Sequence, residues 1–181
     1  EFALTDVILG VNLAASDGTV VDYNGSALEI DVSPTSTIAL DHQGDRGELL
    51  EISGSAHLRV SEFFEVSGSL AVTSDTGSAT LSDGTTVAVE RLLVGGSSLA
   101  AVAGTGANTA QALGLNLTET DFALAIQKAE NGPTYTTLEA TAGGVSLIGV
   151  ESVEIDGADL QVNINTADSG EVVVDYSEGA T

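Results

Sequence analysis

Residues 78–89 read Ser78-Ala79-Thr80-Leu81-Ser82-Asp83-Gly84-Thr85-Thr86-Val87-Ala88-Val89. Two alternating runs flank the dipeptide Asp83-Gly84, the pattern of a tight β-hairpin. The dipeptide predicts a type I′ turn, in which both central residues take positive φ. Asp17-Gly18, Asn24-Gly25 and Asp75-Thr76-Gly77 read as further turns. Between such turns, Val20-Val21-Asp22-Tyr23 and Ala27-Leu28-Glu29-Ile30-Asp31-Val32 alternate with period two. The expected fold is mainly β and antiparallel, an elongated sandwich or roll with long bent strands and one short helix.

The bends are read from a phrase that occurs three times: Leu50-Glu51-Ile52-Ser53-Gly54-Ser55, Phe64-Glu65-Val66-Ser67-Gly68-Ser69 and Val153-Glu154-Ile155-Asp156-Gly157-Ala158. Each continues into an apolar alternation, so Gly54, Gly68 and Gly157 sit inside strands. A mid-strand glycine marks a bend, a bulge or a close backbone approach. A ligand lying on those glycines is the competing reading. The helix is expected over residues 118–130. Thr118 or Thr120 can cap it, Glu119 and Asp121 suit its first turn, and Phe122, Ile126 and Ala129 share one face. Residues 99–103 suggest a further helical turn.

The beginning of the chain is echoed near its end. Leu9-Gly-Val-Asn-Leu-Ala-Ala-Ser-Asp-Gly-Thr-Val-Val-Asp-Tyr23 resembles Leu160-Gln-Val-Asn-Ile-Asn-Thr-Ala-Asp-Ser-Gly-Glu-Val-Val-Val-Asp-Tyr176, and Tyr23-Asn24-Gly25-Ser26-Ala27 resembles Tyr176-Ser177-Glu178-Gly179-Ala180. Asn12 aligns with Asn163 and Asp22 with Asp175. Residues 1–181 thus read as a single β module, about one period of a tandem array, with neighbouring copies of the same module as partners. The alternative is that two edge strands of one domain share a pattern.

Composition narrows the function classes. The chain of 181 residues carries 27 acidic residues against Lys128, Arg46, Arg59 and Arg91, a formal charge of −23. Repulsion on that scale needs screening by salt or divalent cations, and it disfavours nucleic acid and anionic membrane surfaces as direct partners. No apolar run reaches the roughly 18 residues of a membrane span, so no membrane insertion is expected. With no Cys there is neither a disulfide framework nor thiol chemistry. The charge and the missing Cys fit an extracellular or cell-surface bacterial setting.

Catalytic signatures are not found. The two histidines are His42 and His57, and no serine lies in a nucleophile elbow. His57 shares the polar face of the alternating run Ala56-His57-Leu58-Arg59-Val60 with Arg59 and is expected to be solvated. Calcium is the one cofactor the residues point to. Asp41-His42-Gln43-Gly44-Asp45-Arg46-Gly47-Glu48 supplies three carboxylates, Asp41, Asp45 and Glu48, with glycines for a sharp loop. Arg46 opposes a cation there, and diffuse cation screening of the whole surface competes with a defined site.

At Phe64-Glu65-Val66-Ser67-Gly68-Ser69-Leu70-Ala71-Val72, Thr80-Leu81-Ser82-Asp83-Gly84-Thr85 and Asp121-Phe122-Ala123-Leu124-Ala125, the chain resembles repeated β-rich modules of very large bacterial secreted or surface proteins. Such proteins often also carry adhesin regions and calcium-binding toxin-type repeats. The resemblance implies a structural or adhesive building block of a giant extracellular protein, without catalysis. The alternative is a ligand-binding module, carbohydrate or calcium-dependent, using a strand face or the Gly-rich loop Val94-Gly95-Gly96-Ser97-Ser98.

Overall fold

The 78–89 stretch forms a hairpin that joins β5 (Phe64–Thr80) to β6 (Thr86–Thr105), with Thr80 opposite Thr86. Gly84 N–H donates to Leu81 O (2.8 Å) and Leu81 N–H to Thr85 O (2.8 Å). Only Gly84 takes positive φ (83°), and Asp83 does not. The turn is therefore the three-residue form closed by a left-handed glycine, not type I′. The Asp83 carboxylate explains the choice, since its Oδ1 accepts from the Thr85 amide (3.0 Å) and hydroxyl (2.7 Å). Ala15–Thr19 repeats the construction, with Asp17 in the place of Asp83 and Gly18 in that of Gly84.

The computed structural model describes residues 2–60, 64–106, 111–149 and 156–177. The remaining strands are β1 (Phe2–Asn12), β2 (Leu28–Ser33), β3 (Ser36–Leu40), β4 (Leu49–Val60), β7 (Leu113–Ala129), β8 (Thr134–Ile148) and β9 (Asp156–Ala167), with a single 3-10 turn at Gly44–Arg46. Seven strands make one open sheet in the order β1-β4-β5-β6-β7-β8-β9, while β2 and β3 pair separately. Every neighbouring pair is antiparallel. The expected mainly β, antiparallel class is thus what the chain adopts.

Directly opposed residues share a face of the sheet. The register places Leu9, Ile52, Val72, Val94, Leu124, Leu138 and Ile164 in one transverse row, apolar on all seven strands. On the opposite face, Ile8, Ser53, Ala71, Gly95, Ala123, Glu139 and Asn163 form a row of mostly small or polar residues. At the row's two ends Leu9 and Ile164 are 63% and 41% exposed, because β1 and β9 are the sheet edges. The main buried cluster lies elsewhere, at the hairpin end: Ala79, Leu81, Val89, Ala129 and Tyr135, covered by Val174 from beyond β9.

The helix expected over residues 118–130 is not formed; those residues belong to β7 and the turn after it. Phe122, Leu124 and Ile126 satisfy period two as well as Phe122, Ile126 and Ala129 satisfy the helical period. Strand wins because β7 lies between β6 and β8 and hydrogen-bonds to both, which no isolated helix could replace. Residues 99–103 are likewise strand, within β6.

Strands are bent, but not wholly where the glycines suggested. Gly54 opposes a register shift between Thr5 and Ile8, and Gly68 (φ 150°) lies at one between Ser67 and Ser69. β9 keeps one register against β8 at Gly157, and its left-handed residue is Asp159 (φ 54°); residues 153–155 of that phrase lie outside the described residues. Asp6, Ser98 and Glu119 take the same left-handed conformation, at φ 53°, 53° and 51°. Asp6 coincides with a one-residue shift of register against β4, Ser98 with one against β5, and Ser98 and Glu119 together with the paired shifts between β6 and β7. On β6 the register against β5 shifts by one residue across Ser98, between the opposed pairs Ser69–Ser97 and Ser67–Ala100.

Gly96 opposes Phe122, and a Cβ there would overlap Phe122 Cε1 and approach Leu99 Cδ1 to 2.9 Å. At Gly95 a Cβ would meet nothing closer than Phe122 O at 4.0 Å. Gly96→Ala is therefore expected to lower stability by about 1–3 kcal/mol through overpacking. Gly95→Ala should be neutral or stabilising by about 0.4–1 kcal/mol, because it restricts the unfolded chain. Urea midpoints of the two variants compare them directly.

Candidate functional site: two matching edges

β1 and β9 occupy opposite edges of the sheet and run in the same direction, because six strands (β1 and β4 to β8) alternate before β9 is reached. Both carry an aspartate in the left-handed region, Asp6 (φ 53°) and Asp159 (φ 54°). Each strand then turns into a hook that folds back and is pinned by its asparagine. Asn12 Nδ2 donates to Val21 O at 2.8 Å, and Asn165 Nδ2 donates to Val174 O at 2.8 Å. Next along each hook, Asp22 Oδ1 accepts the Asn24 amide and Asp175 Oδ1 the Ser177 amide, both at 2.8 Å. Tyr23 and Tyr176 sit between these partners.

In each of these pairs the second residue lies 153 positions after the first. The counterpart of Asn12 is thus Asn165, not Asn163. Both Val162-Asn163 and Ile164-Asn165 match Val11-Asn12 in pattern, because residues two apart on a strand share a face. Only the bond to the hook separates them. The stretch Glu178-Gly179-Ala180 of the echo lies outside the described residues.

The hooks differ in what they rest on. Val174 is 4% exposed and bridges Leu81, while its counterpart Val21 is 53% exposed. Ser82 N–H donates to Val173 O (2.8 Å) and Asp175 N–H to Thr80 O (2.8 Å). Tyr176 O–H donates to Thr137 Oγ1 (3.0 Å) and accepts from Gln127 Nε2 (2.9 Å). The first hook instead braces the loop after β3: Tyr23 N–H donates to His42 O (2.9 Å), and Asp22 Oδ1 accepts Gly44 N–H (2.9 Å).

The other residues singled out by sequence are dispersed. Asp41 follows β3, Asp45 lies in the 3-10 turn and Glu48 precedes β4. Arg46 reaches Glu51 at 3.2 Å. Among the described residues no group of three or more acidic or histidine side chains is placed to hold a metal ion. His57 is more than solvated: its Nε2 lies 2.8 Å from Glu65 Oε1 on β5, a carboxylate that Arg59 also approaches (3.8 Å). Val94–Ser98 is not a loop but the middle of β6. Its glycines, with Gly54, Asp6 and Ser69, open a shallow depression walled on one side by the Phe122 ring. Asp75-Thr76-Gly77, expected as a turn, lies inside β5 instead, and Asp75 is buried there and gripped by Arg91 through two bonds of 2.7 and 2.9 Å; opposed charges 16 residues apart become neighbours only once the hairpin register is known.

Turn hydrogen bonds hold several aspartates below the ordinary carboxylate range. For Asp22 the Gly44 and Asn24 amides are responsible, and for Asp175 the Ser177 amide and hydroxyl. A lowered folded-state pKa contributes stability above the unfolded value of about 3.9 and loses it as pH falls through the folded value. Stability is therefore expected to fall on acidification below about pH 4. The fall should be shallower in Asp22→Ala/Asp175→Ala, measured as urea midpoint against pH. Comparison of the chain with known protein families, with curated proteins and with solved structures returns no match.

Proposed function

We propose that the chain is a structural or adhesive repeat module of a very large extracellular bacterial protein, with neighbouring copies of itself as its partners and no catalytic chemistry of its own. The observation that carries this reading is the pair of edge strands with hooks pinned by matching bonds, Asn12 to Val21 O and Asn165 to Val174 O. Equivalent strand-and-hook units at the two opposite edges of one sheet suit serial addition. The excess of acidic residues fits an ion-rich exterior, where screening offsets self-repulsion. Calcium at Asp41, Asp45 and Glu48 belongs to the same proposal as one source of that screening.

Sequencing the parent gene on both sides of this segment tests the reading. Further copies spaced by the period of the edge strands are expected, and a single copy beside a catalytic domain would overturn it. The charge argument has its own check. Melting temperature should rise with NaCl between low ionic strength and about 0.15 M, over which the Debye length shrinks to about 8 Å. Calcium raising it beyond equal magnesium would mark a selective site, while identical responses would assign the effect to screening alone.

A further inference from the structure

We infer that consecutive copies of this module share one uninterrupted β-sheet, in which β9 with its hook is the first strand of the next copy and its free edge receives that copy's β4. The inference rests on the tandem-array reading above and specifies how the copies are joined. Three observations carry it. The first is the equivalence of β1 and β9, down to a left-handed aspartate (Asp6, Asp159) and the asparagine-to-carbonyl bond of 2.8 Å in each hook.

The second is strand parity. Between β1 and β9 the direction of the chain reverses six times, so β9 points the same way as β1. An odd number of reversals would leave β9 inverted, and β4 of a following copy would then meet it parallel instead of antiparallel. With an even number, the same pairing can recur without limit by simple repetition of the unit.

The third is what each equivalent strand has and lacks. β1 is paired with β4 on one side and open on the other, whereas β9 is paired with β8 on one side and open on the other. Superposed as one strand, the two have both sides filled, and the exposed edges, a standing liability in any open sheet, disappear. The hooks agree. Val21 is 53% exposed where its counterpart Val174 is 4% exposed against Leu81, so Val21 is the residue that meets Leu81 of a preceding copy. By the same logic Tyr23 takes the place of Tyr176 over Gln127 and Thr137.

The register follows from that of β1 with β4. Val11 opposes Leu50, so Ile164, 153 residues after Val11, opposes Leu50 of the next copy. A chain of residues 1–177 continued by a second run of residues 25–181 keeps the period and the whole original module. Ile164→Cys with Leu50→Cys in the second run gives two thiols in a protein that has none of its own. Val11→Cys with Leu50→Cys in the 181-residue chain is the control. Under mild oxidation both chains are expected to lose their free thiols while remaining monomeric by gel filtration. If only the control closes, the copies are separate bodies on a string; the shared sheet is overturned and the tandem reading stands. Failure of both to close overturns the β1–β4 register and the shared sheet with it.

Discussion

Backbone pairing between antiparallel neighbours is the constraint on which everything else in this protein depends. The main sheet is a single layer, and the buried cluster is confined to the end where the β5–β6 hairpin meets the segment around Val174. Over most of their length the strands are held by their neighbours' N–H and C=O groups and by side chains aligned in rows, such as that from Leu9 to Ile164. Such a sheet has no tolerance for a slip of one residue, which would turn an apolar row to the opposite face. The paired phase shifts at Ser98 and Glu119 show how strictly this is kept. Each adds one residue to its strand, the register changes between Gly96 and Leu99, and it is restored by Ala101.

Ladder bonding leaves the two outer strands as the points where the molecule is unfinished. At one edge the hook after β9 folds over β8 and the hairpin, closing the core with Val174 and anchoring Tyr176 on Gln127 and Thr137. At the other edge the matching hook leans on the loop after β3. Identical local chemistry therefore has different surroundings, and the exposure of Val21 is set by what lies beside it and not by its own segment. Charge pushes the same way. With 27 acidic residues on the chain, carboxylates are best placed where hydrogen-bond donors meet them, and Asp17, Asp22, Asp83 and Asp175 are all met by amides within their own turns or loops.

The class of the fold was legible in residues 78–89 and in the glycine-centred phrases, because period-two alternation and turn residues are local properties. Turn type was less so: Asp83 favours its bond to Thr85, and that bond selects the three-residue loop. Residues 118–130 suggest a helix in isolation because Phe122-Ala123-Leu124-Ala125-Ile126 satisfies both periods, and only the strands on either side distinguish the two. Asp41, Asp45 and Glu48 are close along the chain, and that proximity says nothing of whether the loop gathers their carboxylates.

What the sequence by itself determined is the strand-and-turn character of the chain and the existence of an echo between its beginning and its end. Both follow from short-range patterns of apolar, glycine and aspartate residues. Only the tertiary structure decided that the echoing segments lie at opposite edges, that Asn12 corresponds to Asn165, and that an even number of strand reversals separates them. The reason is physical: strand order, register and direction across the sheet are set by hydrogen bonds between residues far apart in the chain, and beyond a tight hairpin such as that at 78–89 no local pattern encodes which neighbour a strand will take.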